Sequence, residues 1–378
     1  MGGIQVGNLS AGLDASVINE PPVPDGDGVL QRIQHGTRAT YVRVSGGARR
    51  LIDFQLPVVS QLASNPRRTG WVWIGSGPMQ PDALYFAAYP GGAARRLAAP
   101  DILPRPMELP PSHLLRWRSD GAEVEGLLYL PASSPGRKIP LVVDVHEGPT
   151  NAWLDGFSAM NAFLVAQGWA VLRPNPRGST GYGAGFAAAN RNDLGGGDYR
   201  DIMAGVDAVV ARYPIATDRM ALIGYSYGGE IAGFAECRTN RFKAIVSGAP
   251  VIDQFSEYGT EDSSWYDRWF FGKPWERFDD LWRQSPLACV AHAKTPFLLL
   301  QGLDDQIDPP GQSREMYRAL RQQGVYVELV EYPREDHYPL YYALYGLPSP
   351  EPWHGFDARE RMVDFIGAAL DKAGEARE

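Results

Sequence analysis

The sequence contains very little cysteine, which excludes a fold held together by a disulfide framework. Only Cys237 and Cys289 occur in the 378 residues. Their separation is not a metal-ligand spacing either. We expect two small side chains, buried or half-buried, as suits a reducing compartment. We expect neither a metal nor a cofactor.

The sequence also lacks an excess of basic charge, a long apolar run and a secretory leader. It carries 36 basic and 44 acidic residues, for a formal net charge of -8. Without a dense lysine or arginine cluster, nucleic acid is not an expected partner. The sequence has no run of about 18 apolar residues, so no membrane span is expected. Residues 1–30 lack the basic and apolar regions of a signal peptide. We therefore expect a cytoplasmic protein. Because 44% of the residues are hydrophobic, we also expect it to be globular.

Residues 1–110 predict an all-β segment. This part is rich in glycine, proline and alanine, and it contains three alternating runs bounded by turn residues, at 39–44, 70–75 and 83–89. Alternation of this kind is typical of antiparallel strands. No helical periodicity is evident. Four prolines at 104–111 indicate a linker, so the first domain is predicted to end near residue 110.

Residues 111–378 have a different sequence pattern, in which predicted apolar strands alternate with predicted helices. Predicted strands lie at 121–131, 139–146, 168–174, 220–225, 244–247, 296–301 and 325–332, and predicted helices at 198–213, 228–236, 312–323 and 358–370. Strands that alternate with helices indicate a doubly wound, mostly parallel sheet. The second domain is therefore predicted to be α/β.

A G-x-S-x-G motif, Gly224-Tyr-Ser-Tyr-Gly228, lies between a predicted strand and a predicted helix. An ordinary glycine-rich turn could have the same sequence. On a strand–turn–helix corner, however, the motif holds a serine hydroxyl above the sheet in a strained conformation. Ser226 is therefore the candidate nucleophile of an α/β-hydrolase fold.

A serine hydroxyl is a weak nucleophile unless a base removes its proton, so an acid and a histidine should follow in the chain. Asp304 and Asp305 follow one apolar strand, and His337 follows the next. Both lie at the carboxyl edge of the sheet that presents the serine. His292 and His354 are rivals, but the position after the last strand favours His337.

Several ordered motifs resemble the prolyl oligopeptidase family of serine peptidases, especially its acylaminoacyl-peptidase and dipeptidyl-peptidase-like branches. The resemblance covers about residues 114–370. The matching stretches are His146-Glu-Gly-Pro149, Asn175-Pro-Arg-Gly-Ser-Thr-Gly-Tyr-Gly183, Gly224-Tyr-Ser-Tyr-Gly-Gly229, Arg241-Phe-Lys-Ala244, Tyr258-Gly-Thr260, Ser285-Pro286 and Gln301-Gly-Leu-Asp-Asp305.

The resemblance implies specific roles. The family places its catalytic aspartate three residues after a glycine, which here is Gly302 and selects Asp305 over Asp304. His337 follows Asp305 by 32 residues, near the family's spacing of about thirty. The backbone N–H of Tyr227, after the nucleophile, is one expected oxyanion donor. The family's other donor corresponds to Gly148.

Two departures from the family pattern and one aromatic cluster stand out. Glu147 stands where the family usually has glycine, and it is either a surface side chain or a ligand for a substrate amine. Glu230 also departs from the usual apolar residue. Trp265 and Tyr266 form i,i+4 pairs with Trp269 and Phe270. They either pack in the core or, as the resemblance implies for Trp265, Tyr266 and Trp269, line the substrate pocket.

The resemblance implies that residues 1–110 correspond to the last blades of a β-propeller. A blade needs about 40 to 50 residues, so this segment holds at most two, whereas a closed propeller needs at least four. The chain is therefore either a piece of a longer protein, which we favour, or a short form with a more open site. Self-association through strand edges is a further expectation.

The expected function is hydrolysis of peptide or acyl-amide bonds in short substrates through an acyl-enzyme on Ser226. A carboxylesterase or small-molecule acyl-amide hydrolase would use the same machinery. A non-catalytic binding protein on the same fold is the third alternative, and the complete set of Ser226, Asp305 and His337 argues against it.

Overall fold

The computed structural model describes residues 15–99, 109–132 and 136–375. These residues form two compact units. The first runs to Pro111 and includes Ala152–Phe157 and Ser179–Ala188, and the second contains the rest. The two loops were expected in the second domain. They join the first because backbone bonds tie them to it: the Asp155 N–H donates to the Thr37 carbonyl at 2.7 Å, and the Gly36 N–H to that of Gly181 at 2.8 Å.

The first unit is a strand-rich body, as the alternating sequence runs predict. Among its described residues the strands are β1 (Ser16–Val17), β2 (Val23–Asp25), β3 (Gly28–His35), β4 (Arg38–Ser45), β5 (Ala48–Leu51), β6 (Val58–Ser64), β7 (Trp71–Gly77), β8 (Gln80–Ala87) and β9 (Arg95–Ala98). Strands β2 to β5 form one antiparallel meander, and β6 to β9 form another. A four-stranded meander is the unit of a propeller blade. The meanders meet through one parallel pair, Ala39 with Val58.

Aromatic side chains form the core of the first unit. Trp71 and Trp73 are almost fully buried, and the Trp73 ring lies 5.0 Å from that of Phe54 in an edge-on arrangement. The residues that face this core alternate with exposed ones along β8, as expected for a sheet with one buried face. Of the predicted linker, residues 104–108 lie outside the described residues.

The second unit is built on an eight-stranded, mostly parallel sheet with the order β10-β11-β13-β12-β14-β15-β16-β17. Its strands are β10 (Ser112–Ser119), β11 (Ala122–Tyr129), β12 (Ile139–Val145), β13 (Ala170–Asn175), β14 (Ile215–Tyr225), β15 (Ala244–Gly248), β16 (Phe297–Gly302) and β17 (Val327–Tyr332). Among its described strands, only β10 with β11 and β11 with β13 pair antiparallel. The prediction of a doubly wound α/β sheet is confirmed. The sequence prediction missed β10, whose apolar and polar residues alternate like those of an antiparallel strand.

The helices of the second unit cover the parallel strands. They are α1 (Ala159–Ala166), α3 (Gly197–Arg212), α4 (Tyr227–Arg238), α5 (Gln254–Thr260), α6 (Ser264–Phe270), α7 (Phe278–Arg283), α8 (Pro310–Gln322), α9 (His337–Leu344) and α10 (Pro352–Glu375), with a 3-10 turn at Pro286–His292, while α2 (Ala184–Ala187) belongs to the first unit. Because both faces are covered, β12 and β16 read as nearly continuous apolar runs. Within the described ranges, no helix combines the length and apolar character needed to cross a bilayer.

Two side-chain links connect elements of the second unit. Arg173 on β13 and Asp144 on β12 form an ion pair with an N–O distance of 2.7 Å, and both side chains are buried. The second link corrects an expectation. Cys237 on α4 and Cys289 on the 3-10 turn are joined by a disulfide, whereas the sequence suggested two separate small side chains.

Candidate active site

Ser226 lies at the corner between β14 and α4. Its backbone has φ 56° and ψ -122°, in the region that costs a non-glycine residue strain energy. The flanking glycines permit this corner because a Cβ at Gly224 would lie 2.2 Å from the Gly228 carbonyl oxygen, and one at Gly228 would lie 2.3 Å from that of Val145. The motif therefore forms the strained strand–helix turn that its sequence predicts.

His337 and Asp305 meet at the carboxyl edge of the sheet. The His337 Nδ1 lies 2.8 Å from the Asp305 Oδ2, and both side chains are buried. The other carboxylate oxygen of Asp305 accepts hydrogen bonds from the backbone N–H groups of Ile307 and Asp308, at 3.0 and 2.9 Å. With Nδ1 engaged, Nε2 is the ring atom that can take a proton from a serine.

Neighbouring strands bring the two groups together. Gly302 at the end of β16 pairs with Tyr332 at the end of β17, and the loops that follow continue side by side. A Cβ at Gly302 would lie 2.4 Å from the Glu335 carbonyl oxygen, so this close approach requires glycine. The Tyr225 hydroxyl also donates to the His337 carbonyl at 2.8 Å, which ties the histidine to the strand that carries Ser226.

The rival residues lie elsewhere. Asp304 is exposed, and the Asp305 carboxylate makes the contact with His337, as the offset from Gly302 predicts. His292 is also exposed. The His354 Nδ1 lies 2.9 Å from Glu335 Oε1.

The charge state of His337 depends on its carboxylate neighbours. Burial acts to lower the pKa of His337, but the charges of Asp308 and Glu147 and the hydrogen bond to Asp305 outweigh burial and raise it to about 9. Only the neutral imidazole can act as a base. These carboxylates thus set the pH above which the site can work.

The predicted oxyanion donors lie beside the serine. Gly148 and Tyr227 line the same cavity as Ser226. Gly148 has φ 141°, and a Cβ there would lie 2.7 Å from the backbone nitrogen of Thr150. The Tyr227 side chain points away into the core, where its hydroxyl donates to Asp198 Oδ2 at 3.0 Å, which leaves the backbone of Tyr227 at the site.

Glu147 is half-buried and lies near enough to His337 for its charge to act on the histidine. Its Oε1 accepts a hydrogen bond from the Asn151 side chain. Burial raises the pKa of Glu147, and its charge acts on His337. Binding of a substrate amine by Glu147 stays a prediction.

The aromatic cluster of α6 divides into two faces. Tyr266 and Phe270, whose rings lie 4.7 Å apart, line the cavity next to Ser226. Trp265 and Trp269 are 74% and 44% exposed and do not line it, so the pocket prediction is wrong for these two. Adjacent residues on a helix point about 100° apart, which puts the two pairs on different faces.

Sequence reasoning did not single out a group of acidic residues that line the same cavity. They are Glu230, Glu257, Glu261, Asp267 and Asp308. A signal was present: residues 257–267 hold four acidic side chains and no basic one, and Asp308 follows Asp305 by three. It was hidden because the five positions belong to three separate stretches of the chain.

Comparison with known proteins agrees with this architecture. The uncharacterized peptidase YuxL of Bacillus subtilis is 30% identical over 314 residues, which is 82% of this chain and 48% of that protein. The human acylamino-acid-releasing enzyme is 30% identical over 242 residues, 60% of this chain and 32% of the enzyme. The chain thus spans half or less of the length of these relatives.

A solved structure, an acylaminoacyl peptidase of Pyrococcus horikoshii, superposes with a TM-score of 0.86 at 22% identity, covering 96% of this chain and 57% of that one. It shares the fold. The sequence model of the prolyl oligopeptidase family matches residues 155–372. This range contains the Ser226 corner and the Asp305–His337 pair. With this match over more than half of its length, the chain belongs to the prolyl oligopeptidase family.

Proposed function

We propose that this protein is a serine peptidase that cleaves short substrates through an acyl-enzyme on Ser226. The observation that carries the proposal is the 2.8 Å contact between His337 Nδ1 and Asp305 Oδ2, at the sheet edge where the strained corner presents Ser226. Family membership supports the reaction class.

The geometry supplies each group that acyl transfer needs. His337 Nε2 takes the Ser226 proton as the serine oxygen attacks the substrate carbonyl, and Asp305 stabilises the imidazolium that forms. Backbone N–H groups of Tyr227 and Gly148 receive the oxyanion, where one such donor is typically worth about 3 to 4 kcal/mol. The protonated His337 then gives its proton to the leaving amine, and water hydrolyses the ester by the same route.

The proposed substrates are short peptides from which an N-terminal or N-acylated unit is removed. Relatives named acylamino-acid-releasing enzyme and dipeptidyl-peptidase support this class. An ester substrate presents the same carbonyl, so a carboxylesterase is the alternative that must be tested directly.

The test is labelling and turnover with the full chain. A fluorophosphonate probe should label the protein but not Ser226→Ala, and that variant should lose about 10^6-fold in kcat. Turnover by Ser226→Ala at the normal rate would refute the mechanism, and a wild-type protein that neither labels nor turns over would indicate a binding protein.

Paired substrates separate the two hydrolase classes. Acyl-peptide p-nitroanilides and p-nitrophenyl esters with the same acyl part should both be hydrolysed. Ester hydrolysis without measurable amide hydrolysis would overturn the peptidase assignment.

A further inference from the structure

A cavity lies directly beside Ser226. It is lined by Ser226 itself and by Tyr227 and Gly148, and its volume is about 80 Å3. Any group inside it therefore lies next to the carbonyl that Ser226 attacks. This volume is room for roughly five to eight water-sized groups, about the size of a long side chain.

The cavity is unusually acidic for a buried space. Glu230, Glu257 and Asp308 are only 2%, 2% and 4% exposed, and Glu261 and Asp267 join them in the lining. No lysine, arginine or histidine is among the described residues that line it. Buried carboxylates are normally paired with a cation because desolvating an unpaired charge is costly.

Several of these carboxylates have an oxygen without a partner. One buried oxygen of each of Glu257, Glu261, Asp267 and Asp308 has no hydrogen-bond donor in this structure, nor does the amide oxygen of Gln254. The Glu230 carboxylate has a hydrogen-bond donor, since Gln254 Nε2 donates to its Oε1 at 2.8 Å. Buried acceptors are satisfied in the great majority of native sites. Converging acceptors without donors therefore indicate a ligand rich in N–H groups.

The geometry favours an organic cation over a metal ion. Across the part of the chain that the structure describes, no three acidic, histidine or cysteine side chains are placed to coordinate a metal. The rest of the lining includes apolar and aromatic side chains, from Val251, Tyr266, Phe270, Phe271 and Ile307. Such walls suit the aliphatic stem of a lysine or arginine, and aromatic faces also attract its charged end.

We propose that this cavity is a specificity subsite for a lysine or arginine side chain on the residue whose carbonyl Ser226 attacks. The proposal rests on the proposed function, which it narrows to substrates cleaved after a basic residue. The ammonium or guanidinium would donate to the unpartnered oxygens of Glu257, Asp267 and Asp308.

The protonation of these carboxylates should make the substrate preference of this subsite depend on pH. Burial raises the pKa of Asp267 to about 8 and that of Asp308 to about 7, and it raises the pKa values of Glu230 and Glu257 well above their usual range. Without a bound cation these carboxylates are therefore partly protonated near neutral pH, and an entering cation would displace some of the protons. Preference for a basic residue should increase with pH.

Other charged and titratable groups also act on these carboxylates. They are Asp198 and Arg238 near Glu230, Glu261 and Tyr266 near Glu257 and Asp267, and Asp305 and His337 near Asp308. His337 must itself be neutral for turnover, so the pH effect is measured as a ratio between substrates, in which the histidine cancels.

The first experiment compares isosteric substrates with a blocked N-terminus. N-acetylated dipeptide anilides carry arginine or its neutral isostere citrulline, and lysine or norleucine, before the scissile bond. We expect kcat/KM to be at least about 100-fold higher for the charged member of each pair, since a site built to bind a polar group discriminates strongly against its absence. Equal or higher values for citrulline and norleucine would overturn the proposal.

Two variants test the assigned residues. Glu257→Gln and Asp267→Asn should each lower the arginine-to-citrulline ratio of kcat/KM at least tenfold. Asp262→Asn, an exposed acid in the same stretch that does not line the cavity, should leave the ratio as it is. A ratio is insensitive to partial misfolding, because inactive protein lowers both rates equally. An unchanged ratio in both cavity variants would refute the assignment.

A free-amine series distinguishes the main competing occupant. If neutral substrates gain from an unblocked N-terminus as much as blocked ones gain from arginine, the cavity binds the substrate's α-ammonium, and the side-chain proposal fails. Hydrolysis of neutral substrates with no preference for charge would likewise refute the subsite while leaving the proposed function intact.

Ligand binding to the subsite can be measured even if the protein does not hydrolyse the substrates. Isothermal titration of Ser226→Ala with N-acetyl-arginine amide and with the citrulline amide measures the subsite alone. We expect tighter binding of the arginine compound by at least tenfold, with proton release visible as a heat that depends on the buffer. Equal affinities would overturn the proposal whatever the catalytic result.

Discussion

Replacement of Asp305 by asparagine is expected to disable the site without unfolding it. The substitution keeps size and shape but turns one acceptor oxygen into a donor. Two backbone donors, from Ile307 at 3.0 Å and Asp308 at 2.9 Å, point at Oδ1. They outweigh the single 3.5 Å contact from Gln301 to Oδ2. The asparagine oxygen should therefore stay at the Oδ1 position, and its NH2 group should face His337.

This orientation gives His337 the wrong tautomer. An NH2 donor opposite Nδ1, which now lies 2.8 Å from a carboxylate oxygen, requires Nδ1 to accept, so the ring proton moves to Nε2. A protonated Nε2 cannot take the proton of Ser226. The variant also cannot stabilise the imidazolium. We expect kcat to fall about 10^4-fold, or about 5 kcal/mol of transition-state stabilisation.

The assay is kcat/KM for an activated amide and an ester, with thermal unfolding to verify the fold and nitrogen NMR to identify the tautomer. Asp304→Asn is the matched control, because it makes the same chemical change at an exposed neighbour and should alter kcat/KM less than twofold. If Asp305→Asn retains more than a tenth of the wild-type rate, or Asp304→Asn is the more damaging change, the assigned pair is wrong.

Three further changes probe the surroundings of the site. Because the charge of Glu147 helps to raise the pKa of His337, Glu147→Gln should lower that pKa and move the acid limb of the pH profile of kcat/KM to lower pH; a shift to higher pH would contradict this. Gly148→Ala should cost about 10^2 to 10^3-fold in kcat, since its Cβ would meet Thr150 at 2.7 Å, whereas Gly311→Ala, at a position with open space, should be neutral; equal effects would argue against an oxyanion loop. Asp144→Ala, which removes one charge of a buried ion pair, should lower the free energy of unfolding by about 3 to 5 kcal/mol in urea titration, and a change below about 1 kcal/mol would show that the pair contributes little.

Local sequence patterns determined the α/β sheet and the three groups assigned to acyl transfer. The apolar runs of β12, β14 and β16 specify buried parallel strands. The glycines around Ser226 specify a tight corner, because the close backbone contacts there leave no room for a side chain. Asp305 and His337 follow adjacent strands, so topology alone brings them to one edge. These features are predictable because each depends on residues that are near in sequence or on the fixed direction of parallel strands.

Only the tertiary structure decided which other side chains share the cavity. Glu230 on α4, Glu257 on α5, Asp267 on α6 and Asp308 after β16 are far apart in the chain, and the packing of these elements, which no local periodicity encodes, makes them converge. The same holds for the Cys237–Cys289 disulfide, which links residues 52 positions apart. The sequence also did not determine which face of α6 lines the cavity, because aromatic residues occupy two sides of this helix. Burial against the second unit's core selects Tyr266 and Phe270 for the cavity and leaves Trp265 exposed, since the hydrophobic effect rewards the face that other elements cover.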